Sequence, residues 1–89
     1  MRKALVCISA RLDSAEELAQ ELRACGEVKE VFLVQGVYDV VAKIEGETID
    51  DIVDFINRRI KRLSRVEHTL SLISCEHEKR AEENDVILV

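Results

Sequence analysis

Proline and tryptophan are absent from this 89-residue chain, and its aromatic residues are Phe32, Tyr38 and Phe55 alone. Modules that bind single-stranded nucleic acid stack bases on exposed rings, and three rings cannot supply both such a platform and a core. Positive charge is in the minority: 13 Lys and Arg stand against 18 Asp and Glu, a formal net charge of −5. That balance argues against non-specific binding to phosphate backbones, which needs clustered cations. No apolar run lasts beyond a few residues, so neither a secretory leader nor a membrane span fits. The cysteines, Cys7, Cys25 and Cys75, are odd in number and widely spaced with no CxxC pair, which is not a disulfide framework. A reduced cytoplasmic protein is the expectation. Linkers and low-complexity tracts are missing too, and 89 residues make one small domain with no room for a second.

What is present is a chain 47% apolar and 35% charged, the balance of a globular domain and not of a disordered one. A domain of this size buries only about 60–65% of the surface its unfolded chain exposes, so its own core is marginal and self-association would relieve it.

The pattern along the chain divides into six elements. Residues 4–12 are rich in β-type residues and read as a first strand. Ser14 and Glu17 have capping-box spacing, and Ala15, Leu18, Ala19, Leu22 and Cys25 recur at helical intervals. A helix over 14–25 follows, with Gly26 suited to the left-handed residue that ends it. Residues 28–35 and 38–45 are two strands joined across Gly36 and Val37. Thr48 and Asp51 repeat the capping box, and Ile49, Ile52, Val53, Ile56, Ile60 and Leu63 form an apolar stripe for a helix over 49–63. Arg58, Arg59, Lys61 and Arg62 fall at its end, where the helix dipole favours cations. A strand over 66–75 completes the set.

Strand–helix–strand–strand–helix–strand is the ferredoxin-like βαββαβ plan, an α+β fold with two helices on one face of a four-stranded antiparallel sheet. Residues 1–75 are the domain by this reading, and 76–89 a C-terminal extension. That extension is polar through "EHEKRAEEND" and ends on "VILV", which is expected to cover an open sheet edge as a short added strand.

Alternation assigns the two faces of the sheet. Val6, Ile8, Ala10 and Leu12 of the first strand, and Tyr38, Val40, Ala42 and Ile44 of the third, are expected against the helices. That leaves Leu5, Cys7, Ser9, Asp39, Val41 and Lys43 on the open face. In the fourth strand Leu70 and Leu72 are expected inward, and Thr69, Ser71 and Ile73 outward. The second strand is apolar on both sides, with Val31 and Leu33 opposite Phe32 and Val34. Strands apolar on both faces imply a second layer, most simply the same sheet of a second copy in a two-fold dimer.

The stretch Gly36-Val37-Tyr38-Asp39, "GVYD", admits two readings. It is a hairpin turn, in which Gly36 supplies a positive backbone angle and Asp39 tolerates the hairpin end. It is also a binding element, in which Gly36 admits a ligand to the backbone and Asp39 offers a carboxylate to an ammonium group. With Thr69 and Ser71 expected on the same face as Asp39, three polar residues on an apolar surface form a small-molecule site. No metal site is expected: Cys75 and His77 point the same way and His68 lies nearby, but two ligands do not close a zinc site. No serine or cysteine has a neighbouring base in an evident arrangement, so no catalytic residue is assigned. The loop after the first strand holds "RLDS" where metal carriers of this plan need a CxxC.

These residues also carry a family resemblance. "EVKEVFLVQGVYDVVAKIEGE", "RVEHTLSLI" and "EELAQELRACGEVKEV" resemble the hairpin, fourth strand and first helix of the effector-binding (RAM) domain of the Lrp/AsnC transcription regulators. The similarity runs to about residue 75. It implies sheet-packed dimers, commonly assembled into rings such as octamers, with amino-acid effectors bound between dimers. It implies Gly36, Val37, Tyr38, Asp39, Thr69 and Ser71 as ligand-binding residues, with Ser71 standing where the family usually has threonine and Arg65 where it often has glycine.

Family regulators carry an N-terminal helix-turn-helix domain, whereas here the first strand starts almost at Met1. The resemblance therefore implies a non-enzymatic, stand-alone amino-acid sensing module with no cofactor, no direct DNA binding and full-length Lrp/AsnC-type regulators as partners. The competing expectation is a small dimeric ferredoxin-like enzyme of the cofactor-free monooxygenase or isomerase type. Such enzymes line a cavity with His, Tyr, Asn or Trp, and this chain holds few of these. A purely structural assembly domain is the third reading.

Overall fold

A computed structural model describes residues 1–74 and the backbone of a terminal strand at 86–88. The elements are β1 (Arg2–Ala10), α1 (Ala15–Arg23), β2 (Val28–Leu33), β3 (Val40–Gly46), α2 (Ile49–Arg58), a 3₁₀ turn (Ile60–Arg62), β4 (Val66–Ser74) and β5 (Val86–Leu88). The sheet is antiparallel with order β2-β3-β1-β4-β5, so β1 is central and both helices lie on one face. This is the ferredoxin-like βαββαβ fold with one strand added. β5 pairs with β4 of its own chain, Ser74 opposite Val86, and so extends the edge that the apolar end was expected to cover. The expected domain boundary at 75/76, and the pair Cys75 and His77, lie outside the described residues.

The core follows from two periodicities meeting. Ala4, Val6 and Ile8 of β1 and Val40, Ala42 and Ile44 of β3 are buried on the helix face. They pack against Leu18 and Leu22 of α1, Ile52, Phe55 and Ile56 of α2, and Ile60 of the 3₁₀ turn. Each large side chain so buried stabilises the fold by about 1.5–3 kcal/mol relative to exposure. Thr48 caps α2 as its spacing predicts, its hydroxyl accepting from Asp51 N–H at 3.0 Å. The apolar stripe continues past α2, but the helix proper ends at Arg58 and its last turn tightens to 3₁₀.

Four local expectations are corrected. Leu12, expected against the helices, lies beyond the end of β1 in the turn before α1 and is exposed. Ser14 stands at the N-cap of α1 but makes no side-chain cap bond; its hydroxyl donates instead to the Arg11 carbonyl at 2.7 Å. Gly26 does not take the left-handed conformation; the helix closes through Cys25 N–H to Leu22 O, with Ala24 still right-handed. The faces of β4 are the reverse of the simple alternation. Ser71 and Ile73 are fully buried among the helices while Leu70 and Leu72 lie half-buried on the open face.

The reason for that reversal is a bulge. Ser9 pairs with His68, yet the next residue, Ala10, pairs with Val66, so Glu67 is extra. Val66 is buried, and beyond the extra residue the inward set is Thr69, Ser71 and Ile73, opposite Ile8, Val6 and Ala4. One inserted residue moves every later side chain to the other face.

Candidate functional site

The hairpin between β2 and β3 closes by Val34 N–H to Asp39 O at 2.8 Å. Gly36 sits at φ +141°, a region that side chains disfavour, while a Cβ there would meet no atom within 4 Å. Glycine is therefore required for its backbone angle and not for close packing inside this chain. Beyond the turn, Asp39 N–H donates to Ile8 O at 2.9 Å, and the Asp39 carboxylate turns onto the end of β1, where Oδ2 accepts from Ala10 N–H at 2.9 Å. The carboxylate expected to stand free is half engaged: one oxygen holds the strand end and the other has no partner among the described residues.

The β1–α1 turn comes up against this carboxylate. Arg11 is fixed twice, its N–H donating to Arg65 O at 2.8 Å and its Nε–H to Ser64 O at 2.7 Å. Asp13 is the one non-glycine residue at positive φ among those described, at +57°. Ala10, Arg11, Leu12, Asp13, Ala15 and Asp39 together line a recess of about 340 Å³ that contains both signs of charge. Leu12, in its lining, is 91% exposed, and on the hairpin Val37 is 84% exposed with Leu33 and Val34 partly so. The sequence signal for this half of the site was the string "RLDS" between a strand and a helix, whose Arg11 and Asp13 no motif singles out.

Of the residues expected at the site, Gly36, Val37, Tyr38 and Asp39 stay together at this end of the sheet. Thr69 and Ser71 do not join them on the open face. Thr69 is half-buried opposite Ile8 on the helix side, and Ser71 is fully buried opposite Val6, its hydroxyl without a partner among the described residues. The bulge at Glu67 separates them from the open face, and a ligand lying on that face cannot reach Ser71.

The open face itself is built in rows. Phe32, Val41, Cys7 and Leu70 are in register across four strands, and so are Glu30, Lys43, Leu5 and Leu72. Phe32 and Leu5 are 46% and 42% exposed, and a shallow recess of about 450 Å³ lies over Leu5, Phe32 and Leu72. Its rim is polar, with Glu30 and Lys43 paired at 3.4 Å.

The arginines at the end of α2 serve local structure. Arg58 pairs with Asp54 at 2.9 Å one turn back, and the Arg59 guanidinium meets the Cys25 thiol at 3.5 Å. Among the described residues no three His, Cys, Asp or Glu side chains are grouped to hold a metal ion, and no helix is long and apolar enough to cross a membrane.

Comparison with known proteins bears on what this arrangement is. The chain is similar to the structure of FFRP-DM1, at 30% identity over 83% of this chain and 99% of that one, with a TM-score of 0.80. It is similar to TTHA0845 from Thermus thermophilus, at 29% identity over 90% of this chain and all of that one, TM-score 0.80. The regulator NMB0573 from Neisseria meningitidis, solved as a complex with L-Met, shares the fold at 18% identity and a TM-score of 0.74, over 89% of this chain and 53% of that one. No curated protein matches the chain. The model of the Lrp/AsnC ligand-binding domain matches residues 3–83. The chain belongs to the Lrp/AsnC ligand-binding domain family.

Proposed function

We propose that this protein senses an amino acid or a closely related metabolite without transforming it, and does so as an oligomer. Two copies pack their open sheet faces together, and dimers meet through the hairpin end in a larger ring such as an octamer. The effector sits at that end, against Gly36, Val37, Tyr38 and Asp39. The state of the assembly passes to full-length Lrp/AsnC-type regulators that associate with it. Direct DNA contact has no part in this reading, since a net charge of −5 and three aromatics provide neither phosphate clamps nor stacking surfaces.

The observation that carries the reading is the recess at Asp39, which holds charged side chains of both signs and the exposed Leu12, at the end of the hairpin. Membership of a ligand-binding family supports it, and so does the L-Met complex of a protein with the same fold. Calorimetric titration with each of the twenty standard amino acids tests it. Saturable binding of at least one is expected; absence of heat from all twenty up to millimolar concentration removes the effector.

A further inference from the structure

With Thr69 and Ser71 turned to the helix side, the hairpin needs another partner to complete a site. The structure places the β1–α1 turn there. The Arg11 guanidinium has only its Nε–H committed, to Ser64 O, which leaves its terminal N–H groups without a partner among the described residues. The Asp13 carboxylate has no partner among them either, and Asp39 has one oxygen free. All three line one recess of about 340 Å³, large enough for a small polar molecule. A guanidinium presents paired donors that match a carboxylate, and carboxylates accept from an ammonium group.

We infer that Arg11 and Asp13 are ligand-binding residues: Arg11 holds the anionic group of a small zwitterion, while Asp13 and the free oxygen of Asp39 hold its cationic group. Asp39 then has two duties, positioning the recess through Ala10 and closing it around the ligand. This inference rests on the reading of the chain as an amino-acid sensor and names the chemistry by which that sensor selects its ligand. It makes the α-ammonium and α-carboxylate the recognised features, and leaves the ligand side chain to the exposed Leu12 in the lining.

Titration calorimetry on the full chain tests this with any amino acid that the wild type binds, its primary amide and its deaminated acid. The variants are Arg11→Gln and Asp13→Asn, the second chosen because asparagine tolerates the positive φ of that position. Loss of one charge-assisted contact is expected to weaken the amino acid about tenfold to a hundredfold in either variant. The wild type should prefer the amino acid to its amide, and Arg11→Gln should lose that preference while keeping its preference over the deaminated acid. Asp13→Asn should show the converse. Circular dichroism confirms that each variant folds, and Arg11→Lys, which keeps the charge but changes the Nε contact, should fall between wild type and Arg11→Gln. If the wild type binds an amino acid and both variants bind it within twofold of wild type, the inference is overturned and the sensing reading survives. If the wild type binds none of the twenty amino acids, both fall together.

Discussion

Asp39 does two things at once, and the two separate by substitution. Its Oδ2 accepts the Ala10 N–H at the end of β1, next to the bulge. Asp39→Ala leaves that half-buried N–H without its acceptor and is expected to lower the unfolding free energy by about 1–2 kcal/mol. Asp39→Asn keeps an acceptor and should cost about half as much or less; urea unfolding of the two variants checks the order. Equal losses would mean that the Ala10 bond contributes nothing. Ser71 is the opposite case, a fully buried hydroxyl with no partner among the described residues. Ser71→Ala removes an unsatisfied polar group at the cost of little volume, so stability should hold or rise by up to about 1 kcal/mol. A loss above that size would show that the hydroxyl is bonded in solution. The place of Asp39 at the hairpin end was legible in the sequence from its position after Gly36, but its bond to Ala10 was not. That contact spans 29 positions and depends on how β1 ends, which no local pattern encodes.

At the level of elements, alternation worked where the ladder is regular and failed where it is not. β1 and β3 pair without interruption from Arg2 opposite Gly46 to Ile8 opposite Val40, and within that ladder their inward residues follow the sequence pattern. Leu12, by contrast, falls past the strand end and is exposed. β4 begins in one phase at Val66 and continues in the other after Glu67. Both phases place aliphatic residues inward, Leu70 and Leu72 in one and Ile73 in the other, so hydrophobicity alone could not choose between them. Deleting Glu67 forces β4 either to abandon the Val66 pairing or to expose Ile73. Either outcome removes a large buried side chain and should destabilise the domain by about 2–3 kcal/mol, measured by thermal or urea unfolding. A deletion that leaves stability unchanged would mean the bulge migrates freely. α2 was legible because its cap and its stripe agree, and Thr48→Ala should cost about 1 kcal/mol through the lost Asp51 bond. Gly46, at the end of β3, was not singled out by any turn signal. A Cβ there would come within 2.9 Å of the Ile52 side chain, so the glycine is needed for close packing of strand on helix.

On the scale of the whole molecule, what remains unexplained by a single copy is the open face. Rows of Phe32, Val41, Cys7 and Leu70, and of Leu5 and Leu72, run across the sheet on the side that carries no helix. Apolar surface left in contiguous patches favours association, and a domain this small gains proportionally more from it than a large one. The polar rim of Glu30 and Lys43 limits the patch and allows a defined pairing of two sheets. The proposed pairing of open faces and the proposed meeting of hairpin ends both need more than one copy, so the mass in solution bears most directly on the account. Sedimentation equilibrium at micromolar concentration should give at least twice the 10.1 kDa of the chain, and Val41→Lys, which places a charge in the middle of the apolar row, should return it to the monomer with its circular dichroism intact. A wild-type mass of 10.1 kDa at the same concentration would contradict the account, leaving the apolar face without a partner and the sensor without its assembly.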